Sequence, residues 1–262
     1  LEPIYRQGEY DLNGRNWCEK GLCMFSRKLR NTLAYQFYKD VDMVNAGYTW
    51  LYLLLEEYED LKKDKEAKGI ITYYKKREKV LKNFMEQEQS SREEAKKFFI
   101  SKLFNGQEPV INEIMKRELK KNPEAQKFYE SIQNESNPKG RTMNYLYSIW
   151  EFSMLQKIIM YFEKERVECF ADLHDGFYVG KNEDTDKLDL CIQEVKKRYG
   201  INLVVKEMND FLDIPKGFIE NYKESSLKNQ EEKYKYLKEK FEEVYGVCKI
   251  IQQGMYMIEL GT

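Results

Sequence analysis

The sequence predicts an α+β chain: a small antiparallel sheet with packed helices and a helical segment inserted between its strands. Three observations carry this expectation. Proline and glycine are sparse, 5 and 14 in 262 residues, and charged residues interleave with apolar ones, so helix dominates. Strand-prone runs are few and short, near 36–44, 168–180 and 201–206. Two of the three carry acids at their tips.

The first run, Phe37-Tyr38-Lys39-Asp40-Val41-Asp42-Met43-Val44, is β-prone and ends in carboxylates. Residues 50–67 read as a helix, with Trp50, Leu51, Leu53, Leu54, Leu55, Tyr58 and Leu61 on one broad face. Residues 69–87 read as another, with Ile70, Ile71, Tyr74, Val80 and Phe84 apolar. Ser90-Ser91-Arg92-Glu93-Glu94 has the form of a capping box and opens a helix that stops at Asn105-Gly106. Two charged helices fill 110–135, split near Asn122-Pro123. Asn137-Pro138-Lys139-Gly140 is the clearest break, and a long helix is expected from about Thr142 to Lys164. Residues 168–180 read as two strands around a tight turn, with Asp175-Gly176 as the turn dipeptide. An amphipathic helix follows over Asp184–Tyr199, then a last strand over Ile201–Lys206. Helices 142–164 and 184–199 are expected on one face of the sheet. The tail 213–262 reads as a charged helical extension.

Composition excludes several classes. With 42% hydrophobic, 14% aromatic and 34% charged residues the chain is globular and not wholly disordered. No apolar run approaches the roughly 20 residues of a membrane span, so no membrane is expected. The chain does not open on a basic stretch followed by an apolar one, so no secretory signal is expected. Five scattered cysteines, with no CxxC, point to a reducing compartment, cytoplasmic or nuclear. A single His argues against a structural Cys/His zinc site and excludes a multi-histidine metal hydrolase. The formal charge of −1 gives no general argument for nucleic-acid binding. Basic clusters at Lys62-Lys63, Lys75-Lys76-Arg77 and Lys116-Arg117 through Lys120-Lys121 are flanked by acids, so weak, salt-sensitive binding is expected.

The chemistry is expected where the acid-tipped strands meet. If they are sheet neighbours, Asp42 and Asp175 converge, and two converging carboxylates suit a pair of Mg²⁺ ions. Such a pair supports phosphoryl transfer. The plainer alternative is an ordinary hairpin, in which Asp-Gly is common.

The order of the other segments gives the site a family. Gly14-Arg15, Leu22-Cys23, Arg27 and Arg30 come first. The Asp42 strand follows, with Asp40 as the alternate acid. Next come Arg92, Lys96 or Lys97, Phe99 and Asn105-Gly106, then Gly140-Arg141-Thr142-Met143-Asn144, and last Leu173-His174-Asp175. Over roughly residues 14–207 this order resembles the palm and fingers of family A DNA polymerases and the related phage-type single-subunit RNA polymerases. The resemblance implies a palm over 1–49 and 136–212, helical fingers over 50–135 and the extension over 213–262.

It also implies roles. Asp42 and Asp175 would ligate two Mg²⁺ ions, for which Mn²⁺ could substitute, and the Met43 carbonyl would add a ligand. Arg92 with Lys96 or Lys97 would hold a nucleoside triphosphate and neutralise the leaving pyrophosphate. Phe99, or Phe98, would stack on the incoming base; the alternative is helix core. Arg15, Arg30 and Arg141 would touch template or primer phosphates, the alternative being surface ion pairs. Asn144 would contact the nucleic-acid minor groove or brace the hairpin, unless it is a helix N-cap. His174 would sit near the primer terminus.

Departures from the family are equally specific. Cys23 replaces a usual Gln, Ser148 another, and Asn105 stands where a Tyr is usual before Gly. Asn45-Ala46-Gly47-Tyr48 follows the first Asp in place of a Glu that blocks the ribose 2′-hydroxyl, so sugar choice rests on Asn45, on Tyr48 or on neither. Only 13 residues precede Gly14, where the family carries its thumb. The implied partners are a nucleic-acid template or template-primer, nucleoside triphosphates and a protein that supplies a thumb or clamp. The expected activity is template-directed nucleotidyl transfer in a viral or mobile-element replication protein. The rival is a polymerase-like binding or scaffold protein without chemistry.

Overall fold

The structure, a computed structural model, describes residues 4–6, 17–20, 27–105, 107–172 and 175–211. Gly14, Arg15, Leu22, Cys23, Gly106, His174 and the extension over 213–262 lie outside the described residues. The chain falls into two compact units, one made of 1–6, 18–36 and 208–262 and the other of 7–17 and 37–207.

In the first unit, β1 (Ile4–Arg6) and β2 (Trp17–Lys20) form a two-stranded ladder that runs just past the unit's boundary, and α1 (Arg27–Ala34) follows. Asn31 and Ala34 are buried there. Asn31 donates to the Asn209 carbonyl, and the Tyr35 and Phe211 rings meet at 4.8 Å.

The second unit holds a four-stranded antiparallel sheet ordered β4-β5-β3-β6. Its strands are β3 (Tyr38–Met43), β4 (Cys169–Asp172), β5 (Gly176–Gly180) and β6 (Leu203–Lys206). The α+β class and the three strand regions are therefore as expected. β3 is interior: Val41 lies opposite Phe177 of β5 and opposite Val205 of β6. The pleat then gives the sheet two distinct faces. Val41, Met43, Phe177, Val179 and Leu203 line the buried one. Tyr38, Asp40, Asp42, Tyr178 and Lys206 share the other, where the Tyr38 ring stacks on Tyr178 at 5.7 Å.

Between β3 and β4 the chain is helical. α2 (Ala46–Glu57) is followed by a 3₁₀ turn (Glu59–Lys63), then α3 (Lys65–Glu88), α4 (Arg92–Phe104), α5 (Pro109–Lys121), α6 (Pro123–Ser131) and α7 (Pro138–Lys164). The expected helix over 50–67 is thus a shorter one plus a separate 3₁₀ turn. Its apolar face is still buried, at Trp50, Leu51, Leu54, Leu55 and Leu61.

Local chemistry sets several helix ends. Ser91 accepts from Glu94 N while Glu94 binds the Ser91 backbone, a complete capping box. Asn122 and Asn137 cap α6 and α7, each followed by proline at the first helical position. α7 therefore starts at Pro138, inside the segment read as a break, and Asn144 is not its cap. Asn137 also donates to the Phe104 carbonyl at 2.9 Å, which ties the start of α7 to the end of α4.

Phe162 of α7 meets Phe177 edge-on at 5.1 Å, so α7 covers the apolar face of the sheet. α8 (Thr185–Tyr199) is capped by Asp184 and closed by Gly200 at φ +69°. It adds Leu188, Cys191 and Val195 to the same core. Among the described residues no helix is long and apolar enough to cross a membrane.

Candidate functional site

Asp42 is held on the interior strand with its Cα opposite Gly176 of β5 and Val204 of β6. Asp175 comes immediately before β5, and its carbonyl accepts the Met43 N–H at 2.7 Å. The two acidic segments are thus hydrogen-bonded sheet neighbours, and the carboxyl groups come close enough to share a hydrogen bond. Gly176 makes this approach possible. A Cβ there would lie 2.6 Å from the Val41 carbonyl oxygen and 3.0 Å from Asp42 Oδ1. Its sequence reading as half of a turn dipeptide is corrected: Gly176 is the first residue of β5, and close backbone approach selects it.

Burial and neighbouring acids raise both carboxyls above the ordinary carboxylate range. Asp42 is only 9% exposed. Its carboxyl is pushed up to about 6, first by burial and then by the Asp175 charge, while Lys206 pulls it down. Asp175 is also raised, by burial and then by the charge of Glu151, with Lys206 opposing. Glu151 is buried on α7, where the Tyr147 hydroxyl donates to it. Lys206, at the end of the edge strand β6, is ion-paired with Asp42.

The carboxylates open into a cavity of about 490 Å³. Its helical lining is cationic, with Arg77 from α3 and Arg92 and Lys96 from α4. Asn45, Tyr48, Tyr73, Leu103, Phe104 and Tyr147 supply a largely aromatic and apolar lining. Arg92 binds both Glu78 carboxylate oxygens, at 2.9 and 3.0 Å, and Lys96 binds Glu93 at 2.7 Å. These cations are partly exposed and held by exposed acids, so an anionic ligand can compete for them.

The other expected site residues divide clearly. Met43 and Asn45 line the cavity. Asn45 sits at φ +57°, and its Nδ2 is buried without a hydrogen-bond partner. Lys97 is exposed on α4 and does not line the cavity, so the structure separates it from Lys96. Phe99 is helix core, packed on Tyr73 and Phe84, with its carbonyl accepting from the Tyr48 hydroxyl. Phe98 is 40% exposed beneath Lys102. Arg141 is exposed and ion-paired with Glu135, and Asn144 is exposed with its carbonyl bound by Ser148 Oγ. Arg30 lies on α1, in the other compact unit.

Sequence reasoning missed Lys206 and Glu151. Both left a signal. Glu151 is an acid on the apolar stripe Tyr147, Leu155, Ile158 and Phe162, at helical spacing. Lys206 is two residues from Val204, so strand parity puts it on the Asp42 face once β6 pairs with β3.

The donor set consists of carboxylate oxygens, the hard ligands that Mg²⁺ and Mn²⁺ take. Two carboxylates suffice for a cation that keeps several waters. Among the described residues no group of three or more His, Cys, Asp or Glu is placed to hold a metal. No protein-family model, curated protein or solved structure matches the chain.

Proposed function

We propose that the chain is a template-directed nucleotidyltransferase built on a compact family A-like palm, with the helices of 50–135 as fingers. The observation that carries this reading is that one cavity is lined by Asp42 and Asp175 from the sheet and by Arg92 and Lys96 from α4. A nucleoside triphosphate needs both, cations along its phosphates and a divalent cation near the reacting phosphorus. Two Mg²⁺ or Mn²⁺ ions held by Asp42, Asp175 and the Met43 carbonyl would activate the attacking hydroxyl and stabilise the leaving group.

The chain's own residues do the rest. The primer 3′-hydroxyl attacks the α-phosphorus and loses its proton to water. The bond to the bridging oxygen breaks and pyrophosphate leaves. Arg92 and Lys96, already oriented by Glu78 and Glu93, take up the charge developing on it. Tyr48, Tyr73 and Phe104 give the nucleotide an aromatic lining, in which the Tyr48 and Tyr73 rings pack on each other at 4.1 Å. Template and primer would run past the exposed Arg141 and Asn144.

One observation favours the rival reading, a catalytically inactive polymerase-like binding or scaffold protein: Lys206 already pairs with Asp42. Primer extension decides between them. A labelled template-primer is incubated with the protein, Mg²⁺ or Mn²⁺, and dNTPs or NTPs, alongside Asp175→Asn. The substitution leaves the backbone bond to Met43 intact. Extension that vanishes in the variant is expected. A folded wild type that binds the template-primer and does not extend it refutes the catalytic reading in favour of the scaffold.

A further inference from the structure

Lys206 is the residue at this site that a two-carboxylate metal centre does not require. It ends β6, its Cα lies opposite Asp40, and its ammonium is ion-paired with Asp42 at the edge of the cavity. An ammonium and a hard divalent cation compete for the same carboxylate oxygens, because both bind through charge. The two partners differ in their freedom to leave. Asp42 stands on an interior strand and is 9% exposed. Lys206 stands on an edge strand, its side chain 46% exposed on a flexible four-carbon stem, so its ammonium can swing into water. An exchange would therefore move the lysine and leave the carboxylate in place.

The local charge balance favours such an exchange. Asp42 and Asp175 face each other, and buried Glu151 adds its charge on the Asp175 side. Among the described residues, Lys206 is the cation that acts on both aspartates, one positive charge against three carboxyl groups. The remaining cations, Arg77, Arg92 and Lys96, lie along the helical wall of the cavity, where Arg92 and Lys96 have acids of their own. A single lysine undercompensates the pair, and a divalent cation would correct the deficit.

We propose that Lys206 is a resident counter-cation. It holds Asp42 in the metal-free protein and is displaced when a divalent cation binds, so that cation loading and lysine release are one exchange. This rests on the metal part of the reading above and not on its polymerase chemistry. The Lys206–Asp42 pair that favours an inactive scaffold becomes, on this account, the metal-free state of a working site.

The test is Mn²⁺ binding to the full chain without nucleotide, followed by the electron paramagnetic resonance signal of free Mn²⁺. Thermal unfolding is measured with and without the metal. Wild type is compared with Lys206→Met, which keeps the stem and removes the charge, with Lys206→Arg, which keeps the charge, and with Asp175→Asn. Loss of wild-type binding in Asp175→Asn assigns the Mn²⁺ to this site. Lys206→Met is expected to bind about tenfold tighter, the scale of one displaced charge-assisted pair. Lys206→Arg is expected to bind no tighter than wild type. Without metal Lys206→Met melts below wild type at pH 7, and saturating Mn²⁺ closes the gap. Equal or weaker Mn²⁺ affinity in Lys206→Met overturns the exchange. Absence of Mn²⁺ binding in both wild type and Lys206→Met overturns the metal site and the exchange with it. The tenfold gain without primer extension upholds the exchange and sinks only the polymerase reading.

Discussion

Replacing Asp42 with Asn should stabilise the metal-free protein at neutral pH, although it removes a residue proposed to be indispensable. The Asp42 carboxyl is lifted from 3.8 to about 6 by burial and by Asp175, against the pull of Lys206. In the unfolded chain it ionises near pH 4. Between these values the folded protein holds more protons than the unfolded one, so stability falls as pH rises from about 4 to 6. Above pH 6 the whole penalty is present, on the order of 3 kcal/mol for this buried group. Asn mimics the protonated carboxyl and escapes that penalty, and the half-exposed Lys206 turns to water. At about 2–4 °C per kcal/mol for a unit of this size, the midpoint should rise by roughly 6–12 °C. Thermal unfolding by far-UV circular dichroism in EDTA, at pH 7 and at pH 4, reads this directly. The variant should melt above wild type at pH 7, and the two should converge at pH 4. A variant that melts level with or below wild type at pH 7, or a gap that persists at pH 4, refutes the reasoning. Mn²⁺ should lift wild type more than the variant, since binding to the native state alone raises the midpoint.

Gly176→Ala places a Cβ against the Val41 carbonyl and so pushes β5 from β3 at the point where the two acids meet. A loss of about 1–3 kcal/mol in chemical denaturation is expected, and an unchanged midpoint would show that the strands have room to shift. Arg92→Ala removes an exposed pair with Glu78 and should cost less than about 1 kcal/mol of stability. In the proposed reaction the same change raises the KM for nucleoside triphosphate roughly tenfold or more, while Lys97→Ala changes neither quantity. Steady-state kinetics in which Lys97→Ala is the damaging variant would contradict the assignment of Lys96 to the cavity.

The sequence by itself determined the elements whose causes are local. Ser91 and Glu94 cap α4, Asn122-Pro123 separates α5 from α6, and Asp184 and Gly200 bracket α8, because each signal acts within one helical turn. The acid-tipped strands were legible for the same reason, as short β-prone runs ending in carboxylates. The order of the segments was enough to single out Asp42 and Asp175 as a pair.

Only the tertiary structure decided what surrounds that pair. The choice of Lys96 over Lys97 depends on how α4 is rotated against α3 and α7, which adjacent lysines in one sequence do not reveal. Phe99 turns into the core because Tyr73 and Phe84 wait on α3. Gly176 looked like a turn residue, and its strand position follows from the backbone of β3 passing close by. Glu151 and Lys206 meet the aspartates across long stretches of chain, through the packing of α7 and the register of β6. A carboxylate's protonation and its counter-cation are set by the charges and burial around it in space, and folding alone brings those neighbours together.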